Sequence, residues 1–116
     1  MADNTATEPN DLGRFFVARA NAGDVAGLVA LYEPNAVLAF PPGTVATGHA
    51  AIRAVYEQFL ATRPVLSAGR QRPALVSGDL ALTSTELTDG AVTVEIAHRQ
   101  PDGSWLWAVD QPTFAS

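Results

Sequence analysis

Apolar residues recur at helical spacing through the first half of the chain and alternate through the second. Leu12, Phe15, Phe16 and Arg19 follow i, i+3, i+4, i+7 spacing, which predicts a helix from about Pro9 with Arg19 at the edge of its stripe. Asn21-Ala22-Gly23-Asp24 predicts a stop and a restart. Gly23 suits the left-handed position after a helix, and Asp24 suits the N-cap of the next. The second helix carries Val25, Leu28, Val29 and Tyr32 on one face and ends at Pro34. Ala36 to Phe40 reads as a strand broken by Pro41-Pro42-Gly43, with a short return strand over Thr44 to Ala46. Thr47-Gly48 opens a third helix whose stripe is Ile52, Val55, Tyr56, Phe59 and Leu60, closing before Pro64.

The rest reads as strand. Val65 to Ser77 is expected to be one strand bent at Gly69 or Pro73, and Leu80 to Thr88 another. Asp89-Gly90 and Asp102-Gly103 are two-residue hairpin signals, joining Ala91 to Gln100 and then Trp105 to Gln111. Helices followed by a meander predict an α+β domain with a mostly antiparallel sheet. The first eight residues read as a disordered segment and 9–116 as a single domain.

Composition narrows the function. Val, Leu, Ile and Phe make up 29 of 116 residues, which suits a packed core and excludes a disordered chain. Cysteine is absent, so disulfide and thiolate chemistry are excluded. The net charge is −5 and there is no lysine. Of the seven arginines only Arg70 and Arg72 lie close together, which argues against a nucleic-acid partner. No apolar run approaches the roughly 18 residues of a membrane span, and the start lacks the basic and apolar regions of a signal peptide. A cytoplasmic protein is expected, and heavy Ala and Arg use without Lys points to a GC-rich bacterial source. His49 and His98 share no ligand spacing, so no metal or other cofactor is expected.

The stretch Phe16-Val-Ala-Arg-Ala-Asn-Ala-Gly-Asp-Val-Ala-Gly-Leu-Val-Ala-Leu-Tyr32, with Gly48-His-Ala-Ala-Ile-Arg-Ala-Val-Tyr56 downstream, resembles the nuclear transport factor 2-like superfamily, in particular its SnoaL-like and ketosteroid isomerase-like members. The resemblance covers nearly the whole chain. It implies a cone-shaped fold, a curved sheet cupped around three N-terminal helices. It does not carry the isomerase chemistry across. The position implied for the carboxylate base is Phe40, that for the tyrosine donor is Phe16, and that for the protonated carboxyl donor is Ala97. Tyr56 matches a supporting tyrosine of that network, or is a core tyrosine with a satisfied hydroxyl.

Two-residue turns would pair Ser84 with Glu95, and Glu95 with Asp110. One face then holds Leu82, Ser84, Glu95, Ala97, Arg99, Ala108 and Asp110, and the other Val94, Ile96, His98, Trp105 and Trp107. The resemblance points Ala97 into the cup and makes the opposite face a homodimer interface, near which Val94, Ile96, His98, Trp105 and Trp107 are expected. The alternative is an ordinary amphipathic sheet with its apolar face on the helices and its charged face in water.

On the first arrangement Asp110 and Glu95 form an acid–base pair, Arg99 is its electrostatic partner and Tyr56 a donor. Phe16, Tyr32, Phe40, Phe59, Leu82, Ser84, Ala97 and Ala108 would line the pocket. Arg99 and Asp110 are also reminiscent of the limonene epoxide hydrolase relatives, although Ala97 and Pro101 stand where their second aspartate is implied. The expected function is binding of a small apolar molecule, with cofactor-free isomerase, cyclase or hydrolase chemistry. The alternative is a non-catalytic dimerisation or accessory module with a vestigial pocket.

Overall fold

The computed structural model describes residues 5–41 and 43–115. Met1–Asn4 of the segment read as disordered, Pro42 of the proline break and Ser116 lie outside the described residues. The chain order is α1 (Asp11–Asn21), α2 (Val25–Val29), β1 (Tyr32–Leu38), β2 (Ala46–Thr47), α3 (His49–Ala61), β3 (Arg70–Gln71), β4 (Leu75–Ser77), β5 (Leu80–Glu86), β6 (Val92–Arg99) and β7 (Trp105–Ala115). The strands form one sheet in the order β2-β1-β7-β6-β5-β3, with β4 also on β5. All pairings are antiparallel except β1 with β7. Bulges interrupt the β1–β7 and β6–β7 ladders, and bulges bend the strands that carry them. The result is an unclosed, curved sheet with the helices against its concave side.

Local chemistry explains most boundaries. Asp11 accepts the amides of Thr7 and Glu8 at the start of α1, each at 3.1 Å. Gly23 takes φ 72° after α1, and Asp24 caps α2 by accepting from the Gly27 amide at 2.8 Å. Residues 5–8 depart from the frayed expectation. Ala6 is buried, and its carbonyl accepts the Trp105 amide at 2.9 Å.

Three elements differ from the sequence reading. Tyr32 opens β1 instead of closing α2. The residue before a proline disfavours helix, so Glu33 is extended, and Pro34 falls inside the irregular stretch between Tyr32 and Val37, where a missing donor costs little. Val65–Ser77 is not one strand: only Arg70–Gln71 and Leu75–Ser77 pair with β5. Asn21 holds the unpaired part, donating to the Leu66 carbonyl at 2.9 Å and accepting its amide at 2.7 Å.

The third difference has the largest consequence. Both hairpins close through three-residue loops. The Leu87 amide bonds the Ala91 carbonyl at 2.8 Å, and the Gln100 amide bonds the Ser104 carbonyl at 2.7 Å. Gly90 and Gly103 take φ 91° and 88° as the last loop residue, and Asp89 and Asp102 accept the amides two residues on. In the β5–β6 ladder this single residue turns every β5 side chain over, so Thr83, not Ser84, faces Glu95. At the start of β7 it brings Trp105 opposite Arg99 and Trp107 opposite Ala97. The bulge at Ile96/Ala97 then restores the other parity, so Val109 pairs with Ile96 and Asp110 with Glu95.

Candidate functional site

The concave side holds a cavity of about 280 Å³, just below the usual range for small-molecule sites. Phe16 and Val17 of α1 and Tyr56 and Phe59 of α3 form one wall. Leu66, Ala68 and Gly69 form another, and Phe40 and Pro112 complete the apolar rim. Polar groups enter from the sheet and its edge: Gln71, Thr85, Thr93, Glu95 and Asp110. The rings stack edge-on, with Phe40 and Phe59 centroids 5.4 Å apart and those of Phe16 and Tyr56 5.8 Å apart.

Gly69 is a glycine because the backbone passes too close for anything larger. A Cβ there would lie 2.4 Å from the Glu86 carbonyl oxygen. The wall segment is thereby pressed against the end of β5.

The chemistry lies at the floor. Glu95 and Asp110 face each other across β6 and β7 and are 7% and 3% exposed. Tyr32, fully buried at the head of β1, donates its hydroxyl to Asp110 Oδ2. Its oxygen lies 2.6 Å from the hydroxyl of Tyr56. With Tyr32 committed to the carboxyl, Tyr56 is the donor of that second bond. Asp110 Oδ1 is buried and has no hydrogen-bond partner among the described residues. On the other carboxyl, Thr83 donates to Glu95 Oε1 at 2.7 Å, and Trp107 Nε1 donates to Thr83 Oγ1 at 3.3 Å.

Burial dominates the electrostatics. It pushes the Asp110 carboxyl up from the usual 3.8 to about 8, with the Glu95 charge adding to the rise and the Tyr32 bond opposing it. Burial raises Glu95 as well, against the hydrogen bonds of Thr83 and Thr93. Tyr32 and Tyr56 are raised by burial and by the neighbouring Asp110, so both phenols stay protonated. Among the described residues no arginine, lysine or histidine lines the cavity. This arrangement offers two carboxyls that burial pushes up, Asp110 to about 8, and two neutral phenols in an apolar hollow.

Several residues named from the sequence lie elsewhere. Tyr56, Phe16, Phe40 and Phe59 line the cavity with Asp110 and Glu95, and Tyr32 sits directly behind Asp110. Arg99 is not brought to the carboxyls. It lies four residues along β6 from Glu95, bonds Asp79 at 3.1 Å and stacks over Trp105 at 5.4 Å, which removes the likeness to the epoxide hydrolase arrangement. Leu82 and Ser84 face outward because of the three-residue loop. Ala97 is buried opposite Trp107 in the β6–β7 ladder, and Ala108 sits at the bulge; neither lines the cavity.

Trp105 and Trp107, placed outward by the two-residue turn, are core residues 5% and 3% exposed, and Trp107 packs on Phe16 and Tyr32. Val94, Ile96 and His98 remain on the outer face, where His98 Nδ1 lies 2.7 Å from Glu33 Oε2. Sequence reasoning missed Thr83 and Trp107, the pair behind Glu95. The signal that could have found them is loop length: a three-residue loop at Thr88-Asp89-Gly90 puts Thr83 opposite Glu95.

This architecture is shared with solved structures of low sequence identity. A nuclear transport factor 2-like protein with a cystatin-like fold from Novosphingobium aromaticivorans is 21% identical over 87% of this chain and 75% of its own, with a TM-score of 0.69. A candidate calcium/calmodulin-dependent protein kinase type II association domain from Thiobacillus denitrificans reaches a TM-score of 0.75 at 14% identity, over 95% of this chain and 98% of its own. A ketosteroid isomerase-like protein from Erwinia carotovora atroseptica reaches 0.72 at 17% identity, over 92% and 94%. No curated protein matches the chain. No helix among the described residues is long and apolar enough to cross a membrane. The model of the SnoaL-like domain matches residues 13–111, a span that takes in most of α1, all of α2 and α3 and the carboxyl pair, and the chain therefore belongs to the SnoaL-like domain family.

Proposed function

We propose that the cup binds a small, uncharged, largely apolar molecule and that Asp110 and Glu95 act on it as acid and base without a cofactor. The observation that carries this reading is Asp110 Oδ1. It is a buried carboxyl oxygen with no partner among the described residues, on a residue that lines an apolar cavity. Buried polar atoms are rarely left unpaired, and a bound molecule with a hydrogen-bond acceptor would supply the partner. Protonated, Oδ1 donates to a carbonyl or ether oxygen, while the acceptor Glu95 lies across the strand for a proton on the same molecule. The aromatic walls suit a flat apolar body, and the absence of a lining cation disfavours an anion.

The test is binding of a neutral aryl ketone, 2-acetonaphthone, followed by quenching of tryptophan fluorescence. Saturable quenching is expected from Trp107 at the cavity wall, weakening as pH rises through the Asp110 transition and altered by Asp110→Asn. If both Asp110→Asn and Glu95→Gln leave the response unchanged with the fold intact, the acid–base reading loses its basis.

A second reading, a non-catalytic dimerisation or accessory module, is favoured by Phe16 and Phe40. These rings fill the cavity where the isomerase resemblance implies a donor and a base. The candidate association domain among the structural neighbours is consistent with it. In either reading the partner surface would be the outer sheet face. There Leu75, Leu82, Ile96 and Val109 lie in cross-strand register and are 67%, 38%, 37% and 43% exposed. An apolar row of this kind suits a second copy of the chain.

A further inference from the structure

The two carboxyls at the cavity floor are not equivalent, and the difference lies behind them. A threonine hydroxyl has one proton, and an indole N–H can only donate. Because Trp107 Nε1 donates to Thr83 Oγ1, the Thr83 oxygen is the acceptor of that bond. Its own proton goes to Glu95 Oε1 at 2.7 Å. Glu95 thus receives a hydrogen bond of fixed direction, and the Thr93 side chain supplies another. Hydrogen bonds donated to a carboxyl favour its ionised form. Among the described residues Asp110 receives one such bond, from Tyr32 to Oδ2, and its Oδ1 receives none.

We propose that Thr83, oriented by Trp107, is a positioning residue that keeps Glu95 as the proton acceptor of the pair and leaves the proton on Asp110. The other titratable groups facing the pair are Tyr56 from α3 and Tyr32 from β1. α1 and the 64–69 wall bring none, and β5 brings only hydroxyls. Nothing else among the lining residues is placed to reverse the order. The inference rests on the reading of the pair as acid and base, since it states which member is which.

Site-resolved carbon NMR of the Asp and Glu carboxyls tests it on the intact chain without ligand, with Asp110→Asn and Glu95→Gln assigning the two resonances. Near neutral pH, Glu95 is expected at the ionised shift and Asp110 at the protonated one. Thr83→Val should raise the Glu95 midpoint by about one pH unit or more, the size expected for loss of a charge-assisted hydrogen bond, and lower that of Asp110. Thr83→Ser should restore both. Trp107→Phe keeps the hydroxyl but frees its direction, and should move Glu95 the same way by less. It also carries the test if Thr83→Val fails to fold. A wild-type protein in which Glu95 is the last to ionise, or midpoints unmoved in every folded variant, would overturn the assignment. A titration of the expected order with no binding of 2-acetonaphthone would instead sink the ligand reading alone.

Discussion

Tyr32 and Asp110 are 78 residues apart in sequence and joined by a buried hydrogen bond from the Tyr32 hydroxyl to Oδ2. The parallel pairing of β1 with β7 brings them together, setting Tyr32 beside Trp107 and Leu38 beside Asp110. Tyr32→Phe would strip that carboxyl of its protein donor and leave the Tyr56 hydroxyl without its partner. The expected loss is about 1–3 kcal/mol in urea unfolding, with the Asp110 midpoint rising further. Tyr56→Phe should cost less in the Tyr32→Phe background than alone, because the two hydroxyls act through one chain.

Asp110 makes stability depend on pH in an unusual direction. Its folded-state value of about 8 lies above the ordinary 3.8. Across that window the folded chain holds a proton that the unfolded chain has released. The group's contribution to stability is therefore fully present at the acid end and is lost as pH rises through the folded value. Asp110→Asn removes the effect. Calorimetry at about pH 5 and about pH 9 should show the variant gaining on wild type by roughly 5 °C or more at the alkaline end. A constant difference between the two proteins would count against a protonated Asp110.

Two glycines at the cavity should respond differently to alanine. At Gly69 the new Cβ meets the Glu86 carbonyl oxygen at 2.4 Å and Thr85 Cγ2 at 2.7 Å, and the backbone atom has little room to move. Gly69→Ala is expected to destabilise by about 1–3 kcal/mol. At Gly13 the Cβ meets only Gln71 Nε2 at 2.7 Å, the end of a flexible side chain. Gly13→Ala loses the Gln71 bond to the Asn10 carbonyl but gains helix propensity in α1, so it should be close to neutral by urea titration. It should still weaken probe binding, because the methyl group enters the cavity.

The outer row of Leu75, Leu82, Ile96 and Val109 predicts a dimer in solution. Sedimentation at micromolar concentration should give twice the chain mass for the wild type and a single chain for Ile96→Lys, with the Asp110 titration unchanged. A monomeric wild type would remove the outer face as an interface without touching the cavity.

Much of this was legible from spacing alone. The helical stripes of Leu12, Phe16, Ile52 and Tyr56, the cap at Asp24 and both hairpins follow from local rules, because each depends on neighbours a few residues away. The pairing of Glu95 with Asp110 was also read from the sequence, though by a route the structure alters. A longer loop shifts the register by one residue and a bulge shifts it back.

Only tertiary structure settled the orientation of Thr83, Trp105 and Trp107. Strand side chains repeat every two residues, so the same Asp-Gly pair sends a whole strand inward or outward according to whether its loop counts two residues or three. That count is made when Leu87 meets Ala91 and Gln100 meets Ser104 across the loops, contacts that no periodicity along the chain records.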